Sequence, residues 1–191
     1  GDGGFLLTNS KKYYEKILLL RNHGLISRNV NKIFGYNSRL DTVQAVVAIE
    51  EADIVIYGIG SLYTSICPNL IIHEIQEALK RSKATKIYVC NAMSQTGETD
   101  GYFVEDHVEA LIKHSKLYVD VVVMANDVIP KAVLKRYEAE ETHPIVLRDK
   151  EHDYPIIAAK LLDFNQGLIT HDSIKVENLL NEYFFNERVD V

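Results

Sequence analysis

The sequence predicts an open α/β sheet, and three observations carry that expectation. From Asp53 onward, short runs rich in β-branched residues alternate with amphipathic stretches of helical length, the pattern of strand–helix repeats. The run Val119-Asp120-Val121-Val122-Val123-Met124 is apolar almost throughout, which suits a strand covered on both faces of a parallel sheet. The runs lead into glycine or asparagine, residues that serve the loops at the carboxyl ends of strands, where such sheets hold ligands.

Composition sets the outer limits. The 191 residues are 47% hydrophobic and 25% charged, enough to bury one core. A net charge of -6 argues against non-specific binding to nucleic acid or a membrane surface, which both call for basic patches. Cys67 and Cys90 each end an apolar run, so buried free thiols in a reducing cytoplasm are expected rather than a disulfide. No apolar run reaches the roughly 20 residues of a membrane span. The chain opens on Gly1 rather than Met, as a fragment or a trimmed product would.

Taken in order, residues 5–7 read as a short strand, and a helix capped by Asn9 or Ser10 runs to about Arg21. A helix over 40–51 follows a Gly/Asn-rich turn, with Asp41 in its first turn, where a carboxylate suits the helix dipole. Strand 54–57 leads to helix 70–81, strand 86–90 to helix 104–114, and strand 119–124 to a helix that starts near Pro130. Residues 138–142 form a charged link, 145–147 an edge strand and 156–162 a further short element. A closing helix spans 173–185, with Asp172 as its cap.

Two loops at the predicted ligand edge stand out. Gly58, Gly60, Ser61, Tyr63, Thr64 and Ser65 combine glycines, which let backbone amides approach a diphosphate, with hydroxyl donors. Alone, Gly58-x-Gly60 also suits a simple turn, because Tyr63 replaces the third glycine of the dinucleotide fingerprint. Asn91, Gln95, Gly97, Glu98 and Thr99 form a polar second loop, and Asn126-Asp127 a third. Asn91 and Asn126 either share a polar rim or satisfy their own turns. Glu98, Asp100, Glu105, Asp106 and His107 either hold a divalent cation or, for Glu105 and Asp106, cap a helix. His171-Asp172 can reach the same rim. No Cys/His spacing suggests zinc, and no Gly-x-Ser-x-Gly elbow suggests a serine hydrolase.

The phrases Gly58-Ile-Gly-Ser-Leu-Tyr-Thr-Ser-Ile-Cys-Pro-Asn69, Val89-Cys-Asn-Ala-Met-Ser-Gln-Thr-Gly-Glu-Thr99 and Glu105-Asp-His107 occur in one order. In that order they resemble the YvcK-type gluconeogenesis factors, relatives of the CofD 2-phospho-L-lactate transferases, from about Ala52 to the Thr170-His171-Asp172 region. The resemblance implies a Rossmann-like fold and binding of a nucleotide sugar of the UDP-N-acetylglucosamine kind, or of another phosphorylated small molecule. It also implies a role in carbon metabolism and in cell-shape or cell-wall control. Gly58, Gly60, Ser61, Tyr63, Thr64, Ser65 and Asn69 would face Asn91, Gln95, Gly97, Glu98 and Thr99 across the ligand. The YvcK branch implies binding without catalysis. The CofD branch implies Mg²⁺-dependent phosphotransfer, with Glu98 as the candidate ligand. Ile59 departs from the usual proline, and Ser94 and Thr96 depart from a Met-Thr-Gln-Pro-like phrase. The Gly-rich first segment of such proteins is absent, so an incomplete site is expected. Homo-oligomer formation is left open.

The front resembles a second family. Gly1-Asp-Gly-Gly-Phe-Leu-Leu-Thr-Asn9, Leu20-Arg-Asn-His-Gly24 and Gly35-Tyr-Asn-Ser-Arg-Leu-Asp-Thr-Val-Gln-Ala45 are similar to the DegT/DnrJ/EryC1/StrS sugar aminotransferases, which use pyridoxal phosphate. That resemblance implies phosphate binding by Asn37 and a Schiff-base lysine just ahead of Gly1. Pyridoxal phosphate chemistry is therefore not expected of this chain. Residues 1–48 are read as an aminotransferase-like fragment and 49–191 as the C-terminal part of a YvcK/CofD-like domain. The two meet near 44–50.

Overall fold

A computed structural model describes residues 42–148 and 151–185, together with Glu15, residues 25–27 and residues 30–31. The expected strand at 5–7, the helix ending near Arg21, Asp41 and Asn37 lie outside the described residues. The chain divides into two compact units, Gly1–Ala48 and Ile49–Val191. In the first, β1 (Leu25–Ser27) pairs antiparallel with β2 (Val30–Asn31). The boundary between the units falls within α1 (Thr42–Glu51).

The second unit is built on a four-stranded sheet, β3 (Ile54–Tyr57), β4 (Thr85–Val89), β5 (Val121–Ala125) and β6 (Ile156–Ala159), in that order and parallel throughout. The expected open parallel α/β sheet is thus observed. Its middle strands are buried on both faces, and this is why β4 and β5 read as nearly unbroken apolar runs. Successive side chains alternate between two cores. Tyr57, Tyr88, Cys90, Val122 and Met124 pack with Leu62, Leu70, Leu79, Val108 and Leu111 on one side. Ile87, Val89 and Val123 pack with Leu161, Val176 and Leu179 on the other.

The connection from β3 to β4 differs from expectation. The helix predicted to start near Leu70 begins eight residues earlier in the chain, because Ser61 caps a π-helical turn, Leu62–Ile66, that runs into α2 (Cys67–Leu70). The amides of Ser65 and Ile66 both donate to the Ser61 carbonyl at 3.0 Å. Pro68 explains the widening: it has no N–H to give the Thr64 carbonyl, and its ring crowds that carbonyl, so the ladder steps out by one residue. The chain is extended at Ile72 before α3 (His73–Arg81). Gln76, buried at this break, ties it to its neighbours by donating to the carbonyls of Leu70 and His114.

After β4 comes α4 (Val104–Ser115), and after β5 comes α5 (Lys131–Glu138) with Pro130 at its N-cap. Residues 145–147 do not form the expected strand. Pro144 makes one isolated bridge to Met93, and the Ile145 amide donates to Ala92 while Val146 accepts from Val104. The proline cannot extend a ladder, so the segment clamps the second loop instead. Beyond β6, β7 (Leu162–Asp163) pairs antiparallel with β8 (Thr170–His171), and α6 (Ser173–Leu180) follows, ending in a π-helical turn at Asn181–Phe185. Asp172 caps α6 as expected, accepting from the amides of Ile174 and Lys175.

Glu105 and Asp106 both accept hydrogen bonds from the chain, and Asp106 caps the helix. Both oxygens of Glu105 accept from the Arg148 amide at 3.0 Å, and Asp106 accepts from the Phe103 amide while pairing with the Arg148 guanidinium. His107 is fully buried, its Nδ1 against the Phe103 carbonyl, and burial pushes its pKa below the ordinary value. The unfolded chain therefore takes up this proton first as pH falls. Stability should be intact above about pH 6.5, the ordinary imidazole value, and decline below it. Denaturation midpoints are expected to drop between about pH 7.5 and about pH 5.5, and His107→Asn, which keeps a donor at the Nδ1 position, should flatten the slope. An unchanged slope in the variant would contradict a neutral buried imidazole.

Candidate functional site

The parallel register brings the carboxyl ends of β3, β4 and β5 to one edge, and a cavity of about 520 Å³ opens there. Three sources line it: Ile59 to Ser61 after β3, Asn91 to Gln95 after β4, and a far wall of Tyr137, Ile169, Thr170, His171 and Ser173. A second cavity of similar volume lies beside α4 at the amino end of β5. Glu105, Glu109, Asp120, Glu151 and Asp153 line that one, so its field disfavours a phosphorylated ligand.

Hydrogen bonds hold the first two loops together. Asn91 Nδ2 donates to the Gly60 carbonyl at 3.0 Å, which fixes the turn where the backbone leaves β3. Ser61 Oγ donates to Glu98 Oε2 at 2.6 Å and accepts from the Thr64 hydroxyl and amide, at 2.6 and 3.2 Å. Gly58 is tightly enclosed: a Cβ there would stand 3.2 Å from Val89 Cβ. Among the described residues none accepts from the amides of Gly60 or Ser61, so both remain available to a ligand oxygen.

The sequence-predicted residues divide into two groups. Gly60, Ser61, Asn91 and Gln95 line the cavity. Gly58 turns the chain toward it, and the others stand behind. Tyr63 shares a 2.8 Å hydrogen bond with the Tyr102 hydroxyl, and Asn69 donates to the Ser65 carbonyl. Thr64 and Glu98 orient Ser61, and Ser65 follows on the same helical turn. Thr99 is buried and accepts from the Gln95 amide, while Gly97, at a φ of 79° that favours glycine, donates to Asp100. Asn126 gives its amide to the Ala159 carbonyl, and Asp127 Oδ2 receives the Leu161 and Leu162 amides at 2.7 and 3.2 Å.

The far wall carries residues that motif reading did not reach. Tyr137 comes from α5, and its hydroxyl accepts from the Ile169 amide at 2.8 Å. Of the wall residues only His171 had a sequence signal, its place beside a cap. Burial lowers the His171 pKa, while the Asp127 charge and the Cys90 backbone pull the other way. Among the described residues no three His, Cys, Asp or Glu side chains converge to hold a metal ion, and Glu98 already serves Ser61.

An open parallel sheet with a polar cavity at the carboxyl ends of its strands defines a Rossmann-like domain with a candidate ligand site. Residues 19–162 match the family model described as 2-phospho-L-lactate transferase CofD, and the chain belongs to that family. It is 39% identical over 140 residues to a putative gluconeogenesis factor of Thermoanaerobacterium thermosulfurigenes, covering 72% of this chain and 43% of that protein. It is 34% identical over 158 residues to the gluconeogenesis factor of Bacillus subtilis, covering 80% and 50%. A solved structure of a UPF0052-family protein from Bacillus halodurans superposes with a TM-score of 0.68 at 34% identity, over 71% of this chain and 45% of that one. The chain thus spans about half the length of these relatives.

The match also bears on the reading of the front of the chain. It enters at residue 19 and runs through 44–50, where two families were expected to meet, so the aminotransferase resemblance finds no support.

Asp127 is expected to hold the far wall in place. Asp127→Ala, which strands the amides of Leu161 and Leu162, should cost about 1–3 kcal/mol in chemical denaturation. Asp127→Asn keeps a carbonyl acceptor and should lose less, and equal stability of Asp127→Ala and the native chain would refute this role.

Proposed function

We propose that this chain forms part of a nucleotide-sugar-binding protein of the gluconeogenesis-factor type, taking a ligand such as UDP-N-acetylglucosamine and acting by binding rather than by catalysis. The observation that carries the reading is the cavity at the carboxyl ends of β3 and β4, with its backbone fixed by Asn91. The diphosphate lies against Gly60 and Ser61, whose amides can donate to its oxygens. Gly58 supplies the turn, and Asn91 and Gln95 face the ligand from the second loop. Tyr63, Thr64, Ser65, Asn69, Gly97, Glu98 and Thr99 keep these groups in position rather than touch the ligand. Such a protein would serve carbon metabolism and cell-shape or cell-wall control. The names of the relatives and the fit of the fold support this reading.

The description of the family model favours a second reading, a CofD-like transferase that moves a phosphorylated group with Mg²⁺. Binding that requires Mg²⁺ and is lost in Glu98→Ala would favour it. The binding reading predicts that UDP-N-acetylglucosamine, without added metal, stabilises the chain by about 2.7 kcal/mol at a hundredfold excess over its dissociation constant. Thermal denaturation checks this. No shift at millimolar ligand would sink it.

A further inference from the structure

The second cavity, at the opposite end of the sheet from the candidate site, has a chemistry of its own. It opens beside α4, where Asp120 enters β5 and Tyr154 approaches β6. Its volume, about 520 Å³, falls within the range of small-molecule sites, roughly 300–1,000 Å³. Val108 and Val119, both buried, and the half-buried Ile112 give it an apolar floor. Tyr154 and His152, tilted against each other at a centroid distance of 5.2 Å, supply an aromatic wall. Tyr118 also lines the cavity and is 79% exposed, so most of its ring is open to a ligand.

The lining includes the carboxylates of Glu105, Glu109, Asp120, Glu151 and Asp153 and, among the described residues, no lysine or arginine. Two are committed: Glu105 accepts from the Arg148 amide, and Asp120 accepts from the Lys86 amide at 2.7 Å. Glu109, Glu151 and Asp153 are exposed and form no hydrogen bond or ion pair with the described residues. Lys113 lies one helical turn on from Glu109, the spacing of a helical ion pair, and still the two do not pair. Burial pushes the Tyr154 hydroxyl up to about 12, and the Glu105 charge adds to it, so the negative field reaches the cavity wall. An acidic field over an apolar floor selects a ligand that is at once cationic and aliphatic. The charges are spread out, since no three acidic, histidine or cysteine side chains among the described residues converge to hold one ion. A compact cation therefore meets one or two carboxylates and leaves the floor in water. A chain of methylenes carrying several ammonium groups covers the floor and meets separated carboxylates together. The tyrosine rings favour the same ligand, because an ammonium is attracted to an aromatic face.

We propose that this cavity is a binding site for a linear polyamine, separate from the nucleotide-sugar site and not resting on that reading. The methylene chain lies on Val108, Ile112 and Val119, the ammonium groups pair with Glu109, Glu151 and Asp153, and Tyr118 covers one of them.

The test is titration calorimetry of the whole chain at constant ionic strength and about pH 7.5, where amines are protonated and carboxylates ionised. The probes are spermidine and hexaamminecobalt(III), trications that differ in having methylenes or none. Spermidine should bind one to one and about tenfold or more tightly than the cobalt complex, since burial of two methylenes already gives that factor. Glu109→Gln combined with Asp153→Asn should weaken spermidine about tenfold, through the loss of two ion pairs. Glu74→Gln combined with Glu177→Gln removes the same charge from exposed positions on α3 and α6, and should weaken it by less than about twofold. Tyr118→Leu, which keeps every carboxylate, should weaken it about threefold and serves as the second variant if the first does not fold. No binding of spermidine, equal affinity for the two trications, or equal losses in the two carboxylate pairs overturns the site. Binding of a lysine-rich peptide by a native chain that takes no spermidine also overturns it, in favour of a protein contact.

Discussion

The hydrogen bond from Asn91 to the Gly60 carbonyl is the interaction on which the site depends. β3 and β4 end side by side in parallel register, and parallel strands leave their carboxyl-terminal loops free to diverge. The asparagine closes that gap. With the Gly60 carbonyl committed, the Gly60–Ser61 backbone is held in one orientation, and Ser61 can cap the helical turn that follows. Glu98 then accepts the Ser61 proton from the second loop, so the two loops are joined twice. A carbonyl turned to a side chain and a hydroxyl turned to a carboxylate leave the amides as the groups facing outward.

The far wall is fixed by a different logic. Asp127, at the end of β5, spends one carboxylate oxygen on two successive amides of the segment after β6. This holds the short β7–β8 pair against the sheet, although strands of two residues have little cohesion of their own. α5 adds the Tyr137 hydroxyl, which accepts from Ile169. The residues that build the far wall thus spend their hydrogen bonds on the protein.

Much of this was legible in the sequence. The strand at Ile54–Tyr57 was delimited by its β-branched run and the glycine after it, and the acidic first turn of α4 announced its capping role. Asn91 and Gln95, which follow an apolar strand in a polar, glycine-bearing loop, line the cavity. Other features were hidden for physical reasons. Ser61 to Ser65 looked like a loop because its hydroxyls mimic one, whereas the missing N–H of Pro68 widens a helix there. On the helical turn Tyr63 shares a hydrogen bond with the Tyr102 hydroxyl, and Asn69 donates to the Ser65 carbonyl. Tyr137 and Ile169 carry no local signal, since only the tertiary fold brings α5 and β8 to the ligand edge. The aminotransferase resemblance of the front finds no support in the family match, which enters at residue 19.

The central claim is that the ligand occupies the cavity at the carboxyl ends of β3 and β4 rather than the acidic one beside α4. Amide chemical-shift mapping by nuclear magnetic resonance during titration with UDP-N-acetylglucosamine tests this most directly. The account predicts that the largest shifts fall on Gly60, Ser61, Asn91, Gln95 and His171. Shifts concentrated on Glu109, Tyr118 and Asp153 would contradict it.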